Sequence, residues 1–182
     1  FLTVPRSTDV AVEGDIEVEG AVPYWDQRGQ PGYLLGINGE GSTRTINDQL
    51  KLKASYDLTD ALELTLTMVS FRQRIDSTTE SFLRARDGSR VSTGAVAIDG
   101  YRYTLPLNGF APSASERRQA LYGIGLHHRQ REGWSYSVNA AVFDTIDDVY
   151  RTSRGPTTGP GTVTFGNGTG WQTFDAQADL RT

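Results

Sequence analysis

The stretch NDQLKLKASYDLTDALELTLTMVSF, residues 47–71, decides the fold class. Two runs in which apolar and polar residues alternate flank Thr59-Asp60, a short polar pair of the kind that closes a β-hairpin. The apolar members are Leu50, Leu52, Ala54, Tyr56 and Leu58 in the first run and Leu62, Leu64, Leu66 and Met68 in the second. Since successive strand side chains point to opposite faces, the pattern predicts two long antiparallel strands, each with one apolar face.

The same pattern returns twice further along the chain. Residues 119–144 alternate around a turn expected at Glu132-Gly133, and residues 173–180 alternate to the end of the chain. The apolar members are Ala120, Tyr122, Ile124 and Leu126, then Trp134, Tyr136, Val138, Ala140 and Val142, then Phe174, Ala176, Ala178 and Leu180. Runs of about ten residues match the ~25 Å apolar band of a membrane barrel. Short turns alternate with long connections, Arg72 to Arg118 and Thr145 to Gly170, as in transmembrane barrels.

The N-terminal part is less regular, and Asp15 to Trp25 and Tyr33 to Ile37 are each candidates for a strand. Pro23 and Pro31 indicate interrupted or edge pairing there. The sequence therefore predicts an all-β chain, an antiparallel transmembrane β-barrel segment with six to eight strands.

Composition excludes several classes. No run of about 18 apolar residues exists, so a membrane-spanning helix is excluded. Cysteine is absent, which removes disulfides and thiolate metal sites, and a net charge of -4 argues against nucleic-acid binding. No signal peptide is visible, and the alternation that runs to the last residue indicates a cut chain.

In a barrel, aromatic side chains gather at the two membrane interfaces. Tyr56, Trp134 and Tyr136 lie beside the short turns, and Phe71 and Phe143 are expected to form the girdle at the opposite rim. The residues expected to line the interior are Lys51, Lys53, Glu63, Asn139, Asp175 and Gln177.

Three segments carry a resemblance to a known family. They are YDLTDALELTLTMVSFR (56–72), GWSYSVNAAVFDTIDDVYR (133–151) and GTVTFGNGTGWQTFDAQADL (161–180), the last with GTGW followed by a T-x-D alternation. These resemble the barrel of TonB-dependent outer-membrane receptors, over about two thirds of the chain.

The resemblance implies a place in the bacterial outer membrane and a 22-stranded barrel with a plugged lumen that imports a scarce ligand such as a ferric siderophore. Residues 1–182 would then be part of one such barrel domain, about a third of its wall. The implied partners are outer-membrane lipid, lipopolysaccharide, a small-molecule ligand such as an iron chelate, and TonB. The plug and the TonB-contact segment are not recognisable, so no residue is assigned to them.

The segment Arg72 to Arg118 holds eight arginines against five acidic residues. An outward loop rich in guanidinium groups can bind an anionic ligand, because arginine offers a planar fork to carboxylates. The candidate ligand-binding residues are Arg84, Arg86, Arg90, Tyr101, Arg102 and Tyr103. Pairing with lipopolysaccharide phosphates or with acidic loops is the alternative.

Other constellations favour ordinary explanations. The adjacent His127 and His128 point to opposite faces of a strand and cannot share a metal. Asp144, Asp147 and Asp148 lack the remainder of a calcium loop, and the Gly36–Gly41 and Gly166–Gly170 segments are expected to be turns, with Asn167-Gly168 as a type I′ hairpin pair. No nucleophile and base pair suggests catalysis, so we expect no enzyme activity, cofactor or metal site.

Two rival hypotheses remain open. One is a complete eight-stranded outer-membrane barrel with a structural or adhesive role. The other is a soluble lipocalin-like barrel that binds an apolar ligand, in which the same alternation points its apolar face inward.

Overall fold

The protein is described here by a computed structural model, and its described residues form β-strands and no helix. The structure describes residues 1–38, 42–130, 133–156 and 161–181. Six strands belong to one sheet: β5 (Thr43–Thr59), β6 (Leu62–Ser77), β11 (Ser113–His128), β12 (Gly133–Thr152), β13 (Thr162–Phe165) and β14 (Gly170–Arg181). The others are β1 (Leu2–Pro5), β2 (Ile16–Glu19), β3 (Val22–Trp25), β4 (Pro31–Ile37), β7 (Glu80–Ser81), β8 (Arg84–Ala85), β9 (Gly94–Ile98) and β10 (Tyr101–Leu105).

The chain divides into two compact units. We call the first the mixed unit; it comprises Phe1–Thr45, Ile75–Ala114 and Tyr150–Thr164. The second, the long-strand unit, comprises Ile46–Arg74, Ser115–Val149 and Phe165–Thr182. Each is described by itself below.

The long strands form an open sheet in the order β13-β12-β11-β6-β5, with β14 also paired to β12. The predicted first hairpin is confirmed: β5 and β6 are neighbours joined by Asp60 and Ala61. Thr59 caps this turn, since its hydroxyl oxygen accepts hydrogen bonds from the backbone nitrogens of Ala61 and Leu62. Of the turn expected at Glu132-Gly133, Glu132 lies outside the described residues, and β12 begins at Gly133.

The register of β12 against β14 matches the predicted alternation. The two strands are antiparallel, and partners across such a ladder share a face. Apolar residues oppose apolar residues, as in Val138↔Ala176, while Asn139↔Asp175 joins two polar ones. The predicted division into an apolar and a polar set therefore holds along these two strands.

The expected hairpin at Asn167-Gly168 is wrong. Strands β13 and β14 both pair with β12 instead of with each other, so residues 166–169 interrupt one edge of the sheet without reversing it. The interruption is bonded to β12: Asp148 N donates to Asn167 Oδ1 at 2.7 Å and Gly168 N donates to Thr145 O at 3.0 Å. Gly168, with φ +76°, takes the left-handed conformation, which glycine supplies in β-bulges as well as in hairpin turns.

The mixed unit contains two small sheets and the core. One has the order β1-β4-β3 with β7 on β4, the other the order β10-β9-β2-β8, in which only the β2–β9 pair is parallel among the described registers. Residues of both sheets and of the loops form one apolar cluster: Val18, Tyr33, Leu35, Leu83, Val91, Val96, Ile98, Tyr103, Leu105 and Phe110. Burial of these side chains against one another stabilises this unit.

Two expectations about element limits are corrected. The described residues form fourteen strands, not six to eight, because the N-terminal third and the segment after β6 both fold into short strands. The long connections are shorter than expected, since β6 continues to Ser77, β11 begins at Ser113 and β12 continues to Thr152. The N-terminal strand candidates are confirmed as β2, β3 and β4, with Pro31 opening β4 and Pro23 on the edge strand β3.

In the described part of the chain, no helix is long and apolar enough to cross a bilayer.

Candidate functional site

One face of the long-strand sheet, which we call the apolar face, carries the predicted apolar residues of four adjacent strands. They line a shallow depression together: Leu52, Ala54, Leu66, Met68, Tyr122, Ile124, Ala140 and Val142. The side chains are open to the surroundings, with Leu52 54% and Ile124 52% exposed. None of them belongs to the apolar core among the described residues. Continuous exposed apolar surfaces are typical of membrane-contact sites, protein interfaces and ligand-binding grooves.

Aromatic residues border the apolar face beside the short turns, as predicted. Tyr56 and Trp134 are exposed at this rim, and Tyr136 stacks on the ring of His128 with centroids 4.7 Å apart. The second expected girdle is wrong. Phe143 pairs with Trp171 four residues beyond Asn139↔Asp175, an even number that puts it on the polar face, where the two rings stack at 5.5 Å.

Phe71, the other residue of the expected girdle, also lies on the polar face. It lies an odd number of residues from Leu62–Met68, so strict period-two alternation gives it the parity of Glu63 and Thr67. The alternating exposure of β6 continues through Phe71 without a shift, with Ser70 and Arg72 the more exposed neighbours. The sequence therefore predicted the positions of Phe71 and Phe143 along their strands correctly, but it assigned their side chains to the wrong face.

Ion pairs replace apolar residues at the end of the strands away from the short turns. Arg72 binds Glu116 at 2.7 Å, joining β6 to β11. Arg117 binds Asp148 at 2.9 Å and Arg118 binds Asp147, joining β11 to β12. The aspartate group considered for calcium is thus partly engaged by arginines, and the described residues contain no group of three or more His, Cys, Asp or Glu side chains placed to hold a metal.

The opposite, polar face is crowded around Gly125. A Cβ on this glycine would lie 2.6 Å from Thr65 Oγ1, 2.7 Å from Asn139 Oδ1 and 2.9 Å from His127 Nε2. Gly125 is buried even though it lies on the polar side. Glycine therefore leaves room here for polar side chains from three strands, which would have to shift to make space for a Cβ.

The two histidines separate between the faces, as predicted. His127 contributes to the polar side at Gly125, whereas His128 packs on Tyr136, an apolar-face residue. The Nδ1 atom of His128 is buried without a hydrogen-bond partner in the described structure. The aromatic stack thus replaces solvent around this ring.

The six candidate ligand-binding residues lie in the mixed unit, and their side chains make different contacts there. Tyr103 is buried in the core, where its hydroxyl accepts a hydrogen bond from Ser7 N at 2.9 Å. Arg84 donates to the backbone oxygens of Ser81 and Leu83 at 2.9 and 3.0 Å.

The other charged candidates each have a carboxylate partner. Arg86 pairs with Glu17, Arg90 with Glu80 at 3.5 Å, and Arg102 with Asp15 at 3.5 Å. Tyr101 lies under the guanidinium of Arg6, with 5.9 Å between the carbon of that group and the ring centroid. Glu17, Asp15 and Arg6 come from the distant N-terminal part of the chain, and Glu80 lies in the same segment as Arg90, but no local sequence pattern indicates which of these residues pair.

Among the described residues of the mixed unit, Tyr33 is the one titratable group with a large pKa shift. Its hydroxyl donates to the carboxylate of Asp99, and this bond, with burial, raises the pKa of Tyr33 to about 12. Asp99 itself lies in the left-handed region at φ +50° and, with Gly100 at φ +79°, forms the turn between β9 and β10. A two-residue Asp-Gly turn of this kind is the type I′ hairpin signal.

Comparison with protein-family models, with curated proteins and with solved structures gives no match to this chain.

Proposed function

We propose that the long-strand sheet is a section of the wall of a bacterial outer-membrane β-barrel and that the protein is a TonB-dependent receptor for a scarce ligand such as a ferric siderophore. In this proposal the apolar face contacts lipid and the polar face lines the barrel interior. In the mixed unit, the candidate residues Arg84, Arg86, Arg90, Tyr101 and Arg102 contact the ligand, whereas the sixth candidate, Tyr103, is buried in the core.

The observation that carries the proposal is the inverted exposure of the two faces. On β6, Leu66 is 49% exposed, while its polar neighbours Thr65 and Thr67 are less exposed. On β11, Tyr122 and Ile124 are exposed while Gly125 is buried. Apolar side chains that protrude while polar ones crowd together are expected when a sheet curves toward its polar side, as a barrel wall with a hydrated interior does.

The length of the apolar face along the strands also supports the proposal that this face contacts a bilayer. On β11 the apolar face extends from Ala120 to His128, where the ring stack lies. At the other end, Arg118 and its ion pair lie two residues before Ala120. Eight residue steps at about 3.3 Å give roughly 26 Å along the strand, close to the apolar band of outer-membrane barrels before tilt is considered.

The two rival barrels fit less well. A soluble cup would bury its apolar set, yet Ala120 is the only apolar-face residue among the buried hydrophobic residues of the described chain. A complete small barrel would pair its last strand with its first long strand. In the described registers β14 pairs β12 and β5 pairs β6, which leaves both edges of the sheet open to further strands.

A test of the lipid-facing surface uses the absence of cysteine in this chain. Single cysteines are placed at Leu52 and Lys53 on β5 and at Ala176 and Gln177 on β14, two adjacent pairs with opposite faces, and each is spin-labelled in the protein folded in lipid vesicles. We expect labels at Leu52 and Ala176 to be accessible to oxygen but not to a water-soluble nickel chelate. Labels at Lys53 and Gln177 should give the reverse.

Equal access of nickel chelate to both members of each pair would overturn the membrane assignment. Labels at Leu52 and Ala176 shielded from both reagents would favour the soluble cup. The receptor role has its own test: uptake of a ferric siderophore that continues when TonB is deleted would contradict the proposal that this uptake depends on TonB. Uptake unchanged by alanine at Arg84, Arg86 and Arg90 would remove these residues from the ligand site.

A further inference from the structure

The mixed unit contains a cleft of a different composition from the predicted arginine site. It is lined by Arg6, Pro23, Tyr24, Trp25, Pro31, Gly32 and Tyr33. Five of these residues are aromatic or proline, and Arg6 contributes the only charge of the lining. Flat apolar walls with one convergent charged group are the usual composition of a small-molecule site.

Strand pairing places the cation and the most exposed ring of the cleft in one row. Trp25 of β3 is directly opposite Pro31 of β4, and Arg6 N donates to Pro31 O at 3.0 Å on the other side. Residues opposite one another across neighbouring strands share a face, so Pro31 lies between Arg6 and Trp25. With strands about 4.8 Å apart, the two outer residues start roughly 10 Å from each other, enough for one ring with a short substituent.

Both ends of this row are available to a ligand. The indole of Trp25 is 67% exposed. The guanidinium of Arg6 has no carboxylate or hydrogen-bond partner among the described residues, and its contact is the ring of Tyr101. By contrast, Arg86, Arg90 and Arg102 in the same unit each pair with a carboxylate.

The floor of the cleft is fixed in place. Tyr33 is buried, flanked by Val4 and Pro23 in the next row of the sheet, and its hydroxyl is held by Asp99. The ring also meets Tyr103 edge-on, with centroids 5.9 Å apart. A ligand would therefore meet a preorganised surface, which lowers the entropic cost of binding.

We propose that this cleft binds a small organic anion that carries one six-membered ring, whose anionic oxygen pairs with Arg6 while a face of the ring stacks on Trp25. Arginine binds carboxylates through paired hydrogen bonds, and an indole face accepts either an aromatic ring or the apolar face of a sugar. The proposal deepens the receptor function, on which it rests for its biological role, by naming the class of ligand. Two sources share this chemistry, an aromatic carboxylate and an acidic sugar.

The test is titration of the whole chain in detergent micelles with benzoate, with its uncharged analogue benzamide, and with glucuronate. Ligand-observed saturation-transfer NMR and calorimetry report binding. We expect benzoate or glucuronate to bind and benzamide to bind at least about tenfold more weakly. Arg6→Gln and Trp25→Ala should each weaken anion binding about tenfold, whereas Arg28→Gln, at an exposed arginine outside the cleft lining, should leave it unchanged.

Stronger binding of benzoate would assign the aromatic source, and stronger binding of glucuronate the sugar source. Equal binding of benzamide and benzoate would overturn the role of Arg6. No binding of either anion at 10 mM, with the mixed unit shown to be folded by retained amide protection of β9 and β10, would overturn the site itself. These outcomes are separate from the spin-label test, because a failed cleft leaves the lipid-facing surface intact and a soluble sheet leaves the cleft intact.

Discussion

The mixed unit and the long-strand unit use similar alternation of side chains for opposite purposes. In the mixed unit, Leu35 and Val96 are completely buried. In the long-strand unit, Leu52 and Ile124 are about half exposed, and of the described residues on their face only Ala120 is buried. The comparison teaches that period-two alternation divides a strand into two faces but does not say which face is covered. A second protein layer covers the apolar face in one unit, and we propose that lipid covers it in the other.

The largest effect that separates the two units is expected from truncating a buried core ring. Phe110 is 1% exposed, so Phe110→Ala should destabilise the mixed unit by about 3–5 kcal/mol. Phe1→Ala is the matched control, since Phe1 is 69% exposed in the same unit. Urea unfolding followed by amide exchange of β9 and β10 measures both. Equal effects of the two variants would mean that the core is not where the structure places it.

A smaller effect is expected from placing a charge on the apolar face. Ala176→Arg should destabilise the protein in lipid vesicles by about 2–4 kcal/mol, because a guanidinium facing acyl chains loses its hydration. Gln177→Arg, one residue along the same strand but on the polar face, should cost less than about 1 kcal/mol. Unfolding in guanidinium chloride from vesicles measures the difference. Equal losses for both variants would break the proposed contrast between the two units.

The long strands could be predicted from sequence because their alternation persists over many residues and continues on both sides of a short turn. The mixed unit could not, since its strands have two to seven residues and pair with partners far along the chain, as Ile16↔Val96 does. One local signal was present: Asp99-Gly100, between alternating residues, is a hairpin pair inside a segment assigned to a loop. Conversely, Asn167-Gly168 has the same signal and forms no hairpin, because the edge of β12 offers a partner to both flanking strands.

The candidate sites divide in the same way. The apolar and polar sets of β12 and β14 can be assigned to faces by counting residues, and the register of the two strands agrees with that assignment. Whether an arginine is paired depends on contacts such as Arg86 with Glu17 or Arg118 with Asp147, which no local pattern contains. The cleft at Arg6 and Trp25 was missed for the same reason, because its row is assembled from three strands.

A third expected effect concerns the polar face of the long-strand sheet. Gly125→Ala should destabilise the sheet by about 1–2 kcal/mol, since the added Cβ would lie 2.6 Å from Thr65 Oγ1 and the surrounding side chains must move. Gly123→Ala on the same face is the control: its nearest atom would be Thr67 Cβ at 3.6 Å, an ordinary contact. Alanine there should leave stability unchanged or raise it by up to about 1 kcal/mol. Thermal unfolding in micelles compares them, and a stabilising Gly125→Ala would contradict the crowding described.

The smallest effect is expected where the apolar face ends, at the pair of Arg72 and Glu116. Both side chains are partly exposed, at 52% and 34%, so a double-mutant cycle with Arg72→Gln and Glu116→Gln should give a coupling of about 0.2–1 kcal/mol in micelles at low salt. Raising the salt concentration should reduce it, because mobile ions screen charges in contact with water. A coupling above about 3 kcal/mol that ignores salt would instead describe a pair removed from water. That result would place this end of β6 and β11 inside a dry layer and would break the assignment of Arg72 to the border between the apolar face and water.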